Sequence, residues 1–405
     1  MHVLDELAQR GFIAQTTGLD TLREALDAGP LTFYVGVDPT ADSLHVGHSI
    51  PLMAAHLLQR AGHIPIIVFG GGTAMVGDPS GKTEMRAMLS TEQIAENIQG
   101  IKSQVGGLLT LDGTVGHARN NADWIAPLNY IDFLRRIGSL FSVNRMLAME
   151  AYKQRLKTGL SFIEFNYQLL QAYDFLVLHQ QYGCSLQVGG DDQWGNILAG
   201  TDLIRRIEGP EAAAHGLTLP LITTSSGAKM GKTAKGAVWL DAKRTAPFDF
   251  YQYWINIDDR DVGRMLKLFT TLPLPRIAEL ESLQGAQINK AKAELAWQIT
   301  ARIHGDAEAD RARDAAAAMV AGAASDEMPT HTVETLDGLT LVAALADAGL
   351  CKSRGEARRM VQGGGVRVNG DKVQEDGPFL SDWLIEGEAV LRVGKKRVAR
   401  LTLSA

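Results

Sequence analysis

Cysteine is nearly absent from this chain. Its 405 residues hold only Cys184 and Cys351, far apart and with no other ligand residues around them in a metal-binding spacing. A disulfide framework is therefore excluded as an organising device. A structural zinc site is not expected either, and two free, buried thiols in a reducing cytoplasm are. Long hydrophobic runs are also missing. The most apolar stretch, residues 64–76, is broken by three glycines and is too short to span a bilayer. The first residues, MHVLDELAQRG, carry acids early and lack the apolar core of a signal peptide, so neither a secretory leader nor a membrane span is expected. There is no excess of positive charge: the net charge is −6, which excludes a uniformly basic nucleic-acid binder and leaves local patches for any such contact. Internal repeats and low-complexity tracts are absent as well.

What remains is an ordinary globular composition, 45% hydrophobic and 21% charged, of a length that predicts two or three domains. The first half alternates short apolar, β-branched segments (33–37, 64–69, 186–188, 217–223) with helical patterns (48–61, 91–105, 162–181, 195–207). Such alternation predicts an α/β domain with a doubly wound parallel sheet, with ligands at the carboxyl ends of its strands. Residues from about 120 to 160 interrupt the alternation as a helical insertion. The expected division is a catalytic domain over 1–224, a loop and connection over 225–240, an α-helical domain over 241–320, a linker over 321–337 and a small α+β domain over 338–405. From Gly338 onward there are 11 Lys or Arg against 8 Asp or Glu, a local excess of +3 in a chain of net −6.

Five polar constellations interrupt these apolar patterns. In FYVGVDPTADSLHVGHSIP, residues 33–51, a strand turns through Asp38-Pro39-Thr40 and leads to His45-Val46-Gly47-His48 at the start of a helix. A helix N-terminus after a strand holds phosphate, and Gly47 permits close approach of a ligand to the backbone. Pro51 suits the first helical turn. Taken alone, a capping imidazole on a surface loop explains the histidines equally well. Lys229-Met230-Gly231-Lys232-Thr233 places two lysines in a Gly/Ser-rich loop, which is either a solvated loop or a phosphate clamp. Gly77 to Thr83 ends in Gly-Lys-Thr but fails the P-loop pattern, since only three residues separate Gly77 from Gly81. Lys82 and Arg86 follow on a possible second loop.

The fourth constellation is Tyr167, Gln171 and Asp174, which stand at i, i+4 and i+7 on one face of an otherwise apolar helix. Buried polar groups there need partners, either one another or a small polar ligand. The fifth, QVGGDDQWGN at 187–196, runs from a strand through two glycines into acids and a helix start. Acids in such a position commonly accept ribose hydroxyls, although a turn with a helix cap accounts for them too.

The HVGH and KMGKT segments resemble the two signatures of class I aminoacyl-tRNA synthetases. With GDPSGK, YQLLQAYD and GGDDQWGN they follow the order and spacing of the bacterial tyrosyl-tRNA synthetases, a resemblance that covers essentially the whole chain. It implies a Rossmann-type catalytic domain, an α-helical anticodon-side domain, a small C-terminal RNA-binding domain and a homodimer in the cytoplasm. Its substrates would be L-tyrosine, ATP with Mg²⁺, and tRNA(Tyr), with no tightly bound cofactor or metal and no membrane association. Carried over position by position, Tyr34 and Asp174 would meet the phenol hydroxyl. Thr73, Asp78, Tyr167 and Gln171 would hold the ammonium, and Gln193 the carboxylate region. Asp38, Gly47 and Asp192 would border the adenosine and its ribose. Thr40, His45, His48, Lys229, Lys232 and Thr233 would stabilise the ATP phosphates, and Lys82 and Arg86 the departing pyrophosphate.

Tyrosine's carboxylate is already ionised, so this chemistry needs positioning and charge stabilisation rather than a general base. No editing domain is expected. Arg205 and Arg206 are candidates for the acceptor end of tRNA. Lys352, Arg354, Arg358 and Arg359, with Lys395, Lys396 and Arg397, are candidates for its backbone, although a cationic helix face is often merely solvated. The chain departs from the family at Asp191, where serine is usual. A tryptophanyl enzyme shares the fold and both signatures but is not expected to carry the Tyr34 and Asp174 pair. A non-catalytic RNA-binding paralogue would not be expected to keep both signatures intact.

Overall fold

The computed structural model describes residues 1–78, 80, 89–227, 230–233, 236–321, 328–394 and 397–404, with backbone only at 232, 233 and 320. The chain divides into two units, 1–244 with 260–281 and 245–259 with 282–405.

The first unit holds strands β1 (Gln15–Thr16), β2 (Thr32–Val37), β3 (Ile64–Phe69), β4 (His117–Asn120), β5 (Cys184–Gly190) and β6 (His215–Leu219), and a small hairpin of β7 (Lys232–Thr233) and β8 (Gly236–Ala237). Its main sheet has the order β1-β6-β5-β2-β3-β4. All neighbours run parallel except β1 against β6. β2 and β3 are almost continuously buried, as expected of strands covered by helices on both faces. From β2 the chain winds outward to β3 and β4, and from β5 in the other direction to β6. The reversal opens a crevice at the carboxyl ends of β2 and β5, which is where a doubly wound sheet binds its ligand.

Helix Ser49–Arg60 follows β2, helix Thr91–Gly106 follows β3, and helix Trp194–Glu208 follows β5. The insertion supplies short helices between β4 and the long helix Phe162–Tyr182. That helix begins with a capping box between Ser161 and Glu164 and ends at Gly183 in the left-handed region, φ 62°. Glu164 is also half of a buried pair with Arg155 at 3.1 Å, whose remaining donors reach Thr158 and Gly159. The core beneath the crevice joins Tyr34, Ile66, Val68, Phe175 and Leu203.

Several features of the first unit differ from the sequence expectation. β1 and β4 are strands that apolar pattern does not signal: β4 reads HARN, half-buried at the sheet edge. β6 spans His215–Leu219 and stops short of residue 223, because Pro220 has no N–H to continue the ladder. Residues 260–281 group with the first unit. Helix Val262–Phe269 packs on helices Val3–Arg10 and Ser49–Arg60. Arg10, 2% exposed, donates to the carbonyls of Lys267, Thr270 and Leu272 at 3.2, 3.1 and 2.7 Å.

In the second unit, helices Pro247–Ile255, Ile288–His304 and Asp306–Ala321 pack together, with Trp254 wholly buried. A sheet of order β11-β10-β12-β13-β9 follows, from β9 (Thr330–Val333), β10 (Val366–Val368), β11 (Asp371–Val373), β12 (Glu388–Val393) and β13 (Arg397–Leu403). β9 lies inside the span expected to be a linker and pairs in parallel with β13. It reads THTV, with half its residues exposed, so no apolar run marks it. Asn369 and Gly370, both at positive φ, join β10 to β11 as their Asn-Gly sequence predicts. Among the described residues no helix is long and apolar enough to cross a membrane.

Candidate active site

Tyr34 rises from the middle of β2 with 2% exposure, and its hydroxyl is buried without a hydrogen-bond partner among the described residues. Burial, and then the neighbouring Asp174, hold its phenol well above the ordinary range, so it stays neutral. Asp174, on helix Phe162–Tyr182, is 4% exposed. Asn121 Nδ2 donates to its Oδ2 at 2.9 Å and Trp124 Nε1 to its Oδ1 at 2.7 Å. Desolvation dominates, and Asp38 adds repulsion, so Asp174 is pushed up to about 7 despite those two donors. A buried phenol without a partner among the described residues thus lies near a buried carboxyl that ionises reluctantly. A ligand hydroxyl that reached both would give the phenol a partner and the carboxyl a further donor.

Asn121 ties Asp174 to the loop after β3. Its Oδ1 accepts from the N–H of Gly72 at 2.7 Å, and its Nδ2 donates to Thr73 Oγ1 at 2.9 Å. A second set of bonds links polar side chains of the 167–196 region to Asp78. Gln193 Nε2 donates to Asp78 Oδ2 at 2.8 Å, and Asn196 Nδ2 donates to Gln193 Oε1 at 3.0 Å and to Gln171 Oε1 at 3.1 Å. Asp78 and Tyr167 are both buried, at 7% and 5% exposure. Carboxylate and amide oxygens lined up in this way suit an ammonium.

The signature segments adjoin each other. The N–H of Gly47 donates to His45 Nδ1 at 3.0 Å, and the N–H of His45 donates to His48 Nδ1 at 3.2 Å, so the imidazoles cap one turn and stack at 3.9 Å. The space beside Gly47 is filled by the His45 ring: a Cβ there would lie 2.9 Å from His45 Cε1. Val46 and Leu44 pair with Val238 and Leu240 through N–H···O bonds of 3.0 and 2.8 Å. Gly231, at φ +78°, rests against Val46 and the N–H of Gly47, where a Cβ would meet them at 3.0 and 3.2 Å. The backbone of the second signature is thereby laid on that of the first. Lys82, Arg86 and Lys229 lie outside the described residues.

Residues 26–321 match the family model of class I tRNA synthetases (W and Y), and residues 320–400 match that of the tyrosine–tRNA ligase SYY-like C-terminal domain. The tyrosine–tRNA ligase of Clostridium botulinum (strain Eklund 17B / Type B) is 49% identical over 405 residues, covering 99% of each chain. The chain belongs to the class I tyrosyl-tRNA synthetases. A C-terminally truncated mitochondrial tyrosyl-tRNA synthetase of Aspergillus nidulans superposes with a TM-score of 0.70 at 30% identity, over 78% of this chain and 93% of that one. A tryptophanyl-tRNA synthetase of Encephalitozoon cuniculi shares the fold alone, with a TM-score of 0.58 at 14% identity over 76% and 87% of the two chains.

For a tyrosyl-tRNA synthetase the informative residues missed in the sequence are Asn121 and Trp124. Both follow the unrecognised β4, and a strand's carboxyl end is the signal that marks them. Asp191, the departure from the family, accepts from Gln15 Nε2 at 2.7 Å and Thr218 Oγ1 at 2.8 Å. Its charge is held by β1 and β6, whereas Asp192 is exposed. Thr40 is exposed as well, with its N–H donating to the Asp38 carbonyl at 2.9 Å. Arg205 and Arg206 end helix Trp194–Glu208 on a surface cleft that Arg145 and His215 also line. Lys352, Arg354, Arg358 and Arg359 are exposed in the second unit, with Arg358 3.6 Å from Asp376. Lys395 and Lys396 lie outside the described residues.

Proposed function

We propose that the crevice activates L-tyrosine with ATP to tyrosyl-AMP and that the chain then passes the tyrosyl group to the terminal adenosine of tRNA(Tyr). The observation that carries this reading is the buried hydroxyl of Tyr34, without a partner among the described residues and near enough to Asp174 to be influenced by its charge; the two together are read as the recess for a phenol hydroxyl. The Asp78–Gln193–Asn196–Gln171 chain, with Thr73 and Tyr167, takes the ammonium and directs the carboxylate outward. His45, His48 and Thr40 face the triphosphate of an ATP that arrives with Mg²⁺, and Asp38, Gly47 and Asp192 border its sugar and base. Lys229, Lys232 and Thr233 close on the phosphates from the second signature, and Lys82 and Arg86 serve the leaving pyrophosphate. In-line attack by the carboxylate on the α-phosphorus then forms one P–O bond as pyrophosphate leaves.

Amino-acid-dependent ATP–pyrophosphate exchange, run across the protein amino acids, tests this reading. Tyrosine is expected to support exchange, and exchange driven by tryptophan in place of tyrosine would overturn it. The exposed cations of the second unit fit a role on tRNA phosphates. Tyr130, Ile131, Val143, Leu156 and Phe162 are 56, 59, 54, 52 and 70% exposed, all on or next to the insertion. So much exposed apolar surface supports a homodimer joined there, and the cytoplasm is the compartment the reading assigns to it. Sedimentation equilibrium that returns only monomer would remove that part of the reading.

A further inference from the structure

Asp261 is a buried acid that neither the tyrosine recess nor the signatures use. It is 5% exposed and stands at the N-terminal boundary of helix Val262–Phe269. An aspartate at that position ordinarily caps its own helix, but Asp261 makes no such bond. Both its oxygens instead accept from the N–H of Ser225, at 3.1 and 2.9 Å. Arg264, one turn further on, donates to Asp261 Oδ1 at 3.4 Å and also to the carbonyl of Thr223. One helix end therefore grips two backbone groups in the stretch 223–225.

That stretch leads into the second signature. The N–H of Met230 donates to the carbonyl of Ile222 at 3.0 Å and closes a loop that contains Ser225 and ends just after Lys229. Beyond it, Gly231 lies on Val46 and Gly47. The segment is thus held at its neck by a backbone bond, at Gly231 by the first signature, and in its interior at Ser225 by a charged side chain from another element. Charged acceptors make the stronger hydrogen bonds, and burial strengthens them further.

We infer that Asp261, supported by Arg264, is a positioning residue for the ATP-phosphate clamp. It sets the backbone path of 223–225, which leads into the second signature, and acts without itself touching ATP or tyrosine. The inference rests on the proposed role of Lys229 and Lys232. It predicts a loss confined to the ATP side of the reaction, because reacting groups displaced by about an ångström lose rate steeply.

The test is tyrosine-dependent pyrophosphate exchange, with tyrosine affinity measured separately by equilibrium dialysis, on Asp261→Ala, Ser225→Pro and the double variant. Ser225→Pro removes the donor and leaves the carboxylate in place, so it serves even if Asp261→Ala does not fold. Each single variant is expected to lose roughly tenfold or more in kcat/KM for ATP, with the tyrosine dissociation constant kept within about twofold. The double variant is expected to lose no more than the worse single one, since both break the same bond. Unchanged ATP kinetics in Asp261→Ala or in Ser225→Pro would overturn the inference. So would a parallel loss of tyrosine affinity, which marks general loosening, or additive losses in the double variant. A wild type without tyrosine-dependent exchange would overturn the functional reading itself, and is seen before any variant is compared.

Discussion

At the scale of single residues, the proposed reading rests selectivity on Tyr34 and Asp174. A ring without a hydroxyl leaves the Tyr34 hydroxyl without a partner and brings Asp174 no further donor, the mechanism by which enzymes of this family are already known to reject phenylalanine. Each lost partner costs about 1–3 kcal/mol. Tyr34→Phe and Asp174→Asn are therefore expected to lower the tyrosine-over-phenylalanine ratio in pyrophosphate exchange by roughly ten- to a hundredfold. An unchanged ratio in both variants would remove these residues from the recess. Asp174, raised from 3.8 to about 7, has consequences for pH. The folded protein binds this proton more tightly than the unfolded chain does. The residue's contribution to stability therefore falls as pH rises from about 4 to about 7 and is constant above. Binding runs the other way. A phenol hydroxyl donates better to the ionised carboxylate, so tyrosine affinity is expected to increase as pH passes upward through about 7. Equilibrium dialysis across neutral pH checks this, and a flat profile in the wild type would contradict it. Asp174→Asn should abolish the dependence.

At the scale of elements, the second signature depends on the first for its backbone path. Gly231 is the point of closest approach, at φ +78° and with Val46 and Gly47 within van der Waals distance of an added Cβ. Gly231→Ala combines a left-handed backbone with a crowded Cβ and is expected to cost about 1–3 kcal/mol locally. That strain falls on the segment next to Lys229 and Lys232, so kcat/KM for ATP should drop while tyrosine binding persists. An ATP parameter equal to wild type would show that the contact does not matter. Elements differ in how legible they are. β2 and β3 are marked by buried apolar runs, and helix Phe162–Tyr182 by its Ser161–Glu164 box and by Gly183. β4 and β9 are edge strands with half-exposed, polar residues, and such strands carry little pattern of their own. With β4 unrecognised, Asn121 and Trp124 had no visible reason to be singled out.

At the scale of the molecule, the C-terminal sheet sets where the chain can be cut. β9 pairs with β13, so a truncation after about 335 would leave an orphan strand, and the better cut follows helix Asp306–Ala321. A chain ending at 321 is expected to keep tyrosine-dependent pyrophosphate exchange within a few-fold, since the crevice is built in the first unit. Its charging of tRNA(Tyr) should fall by tenfold or more on loss of the exposed cations around Arg354–Gln362. Undiminished charging would show that the second unit's basic helix has no part in tRNA binding. The grouping of 260–281 with the first unit has the same kind of origin. Arg10 and Lys267 are distant in sequence, and their bond forms only once two helices pack.

The chain's own order of residues determined the doubly wound class, the two signatures and the polar face of Tyr167, Gln171 and Asp174. These are local periodicities and short spacings, written in near neighbours. Tertiary structure alone decided that Asn121 and Trp124 clasp Asp174, that the Tyr34 hydroxyl is buried without a partner among the described residues, and that Asp261 holds Ser225. Each of these joins elements 36 or more residues apart in the chain or depends on burial, and such distances carry no periodic signal.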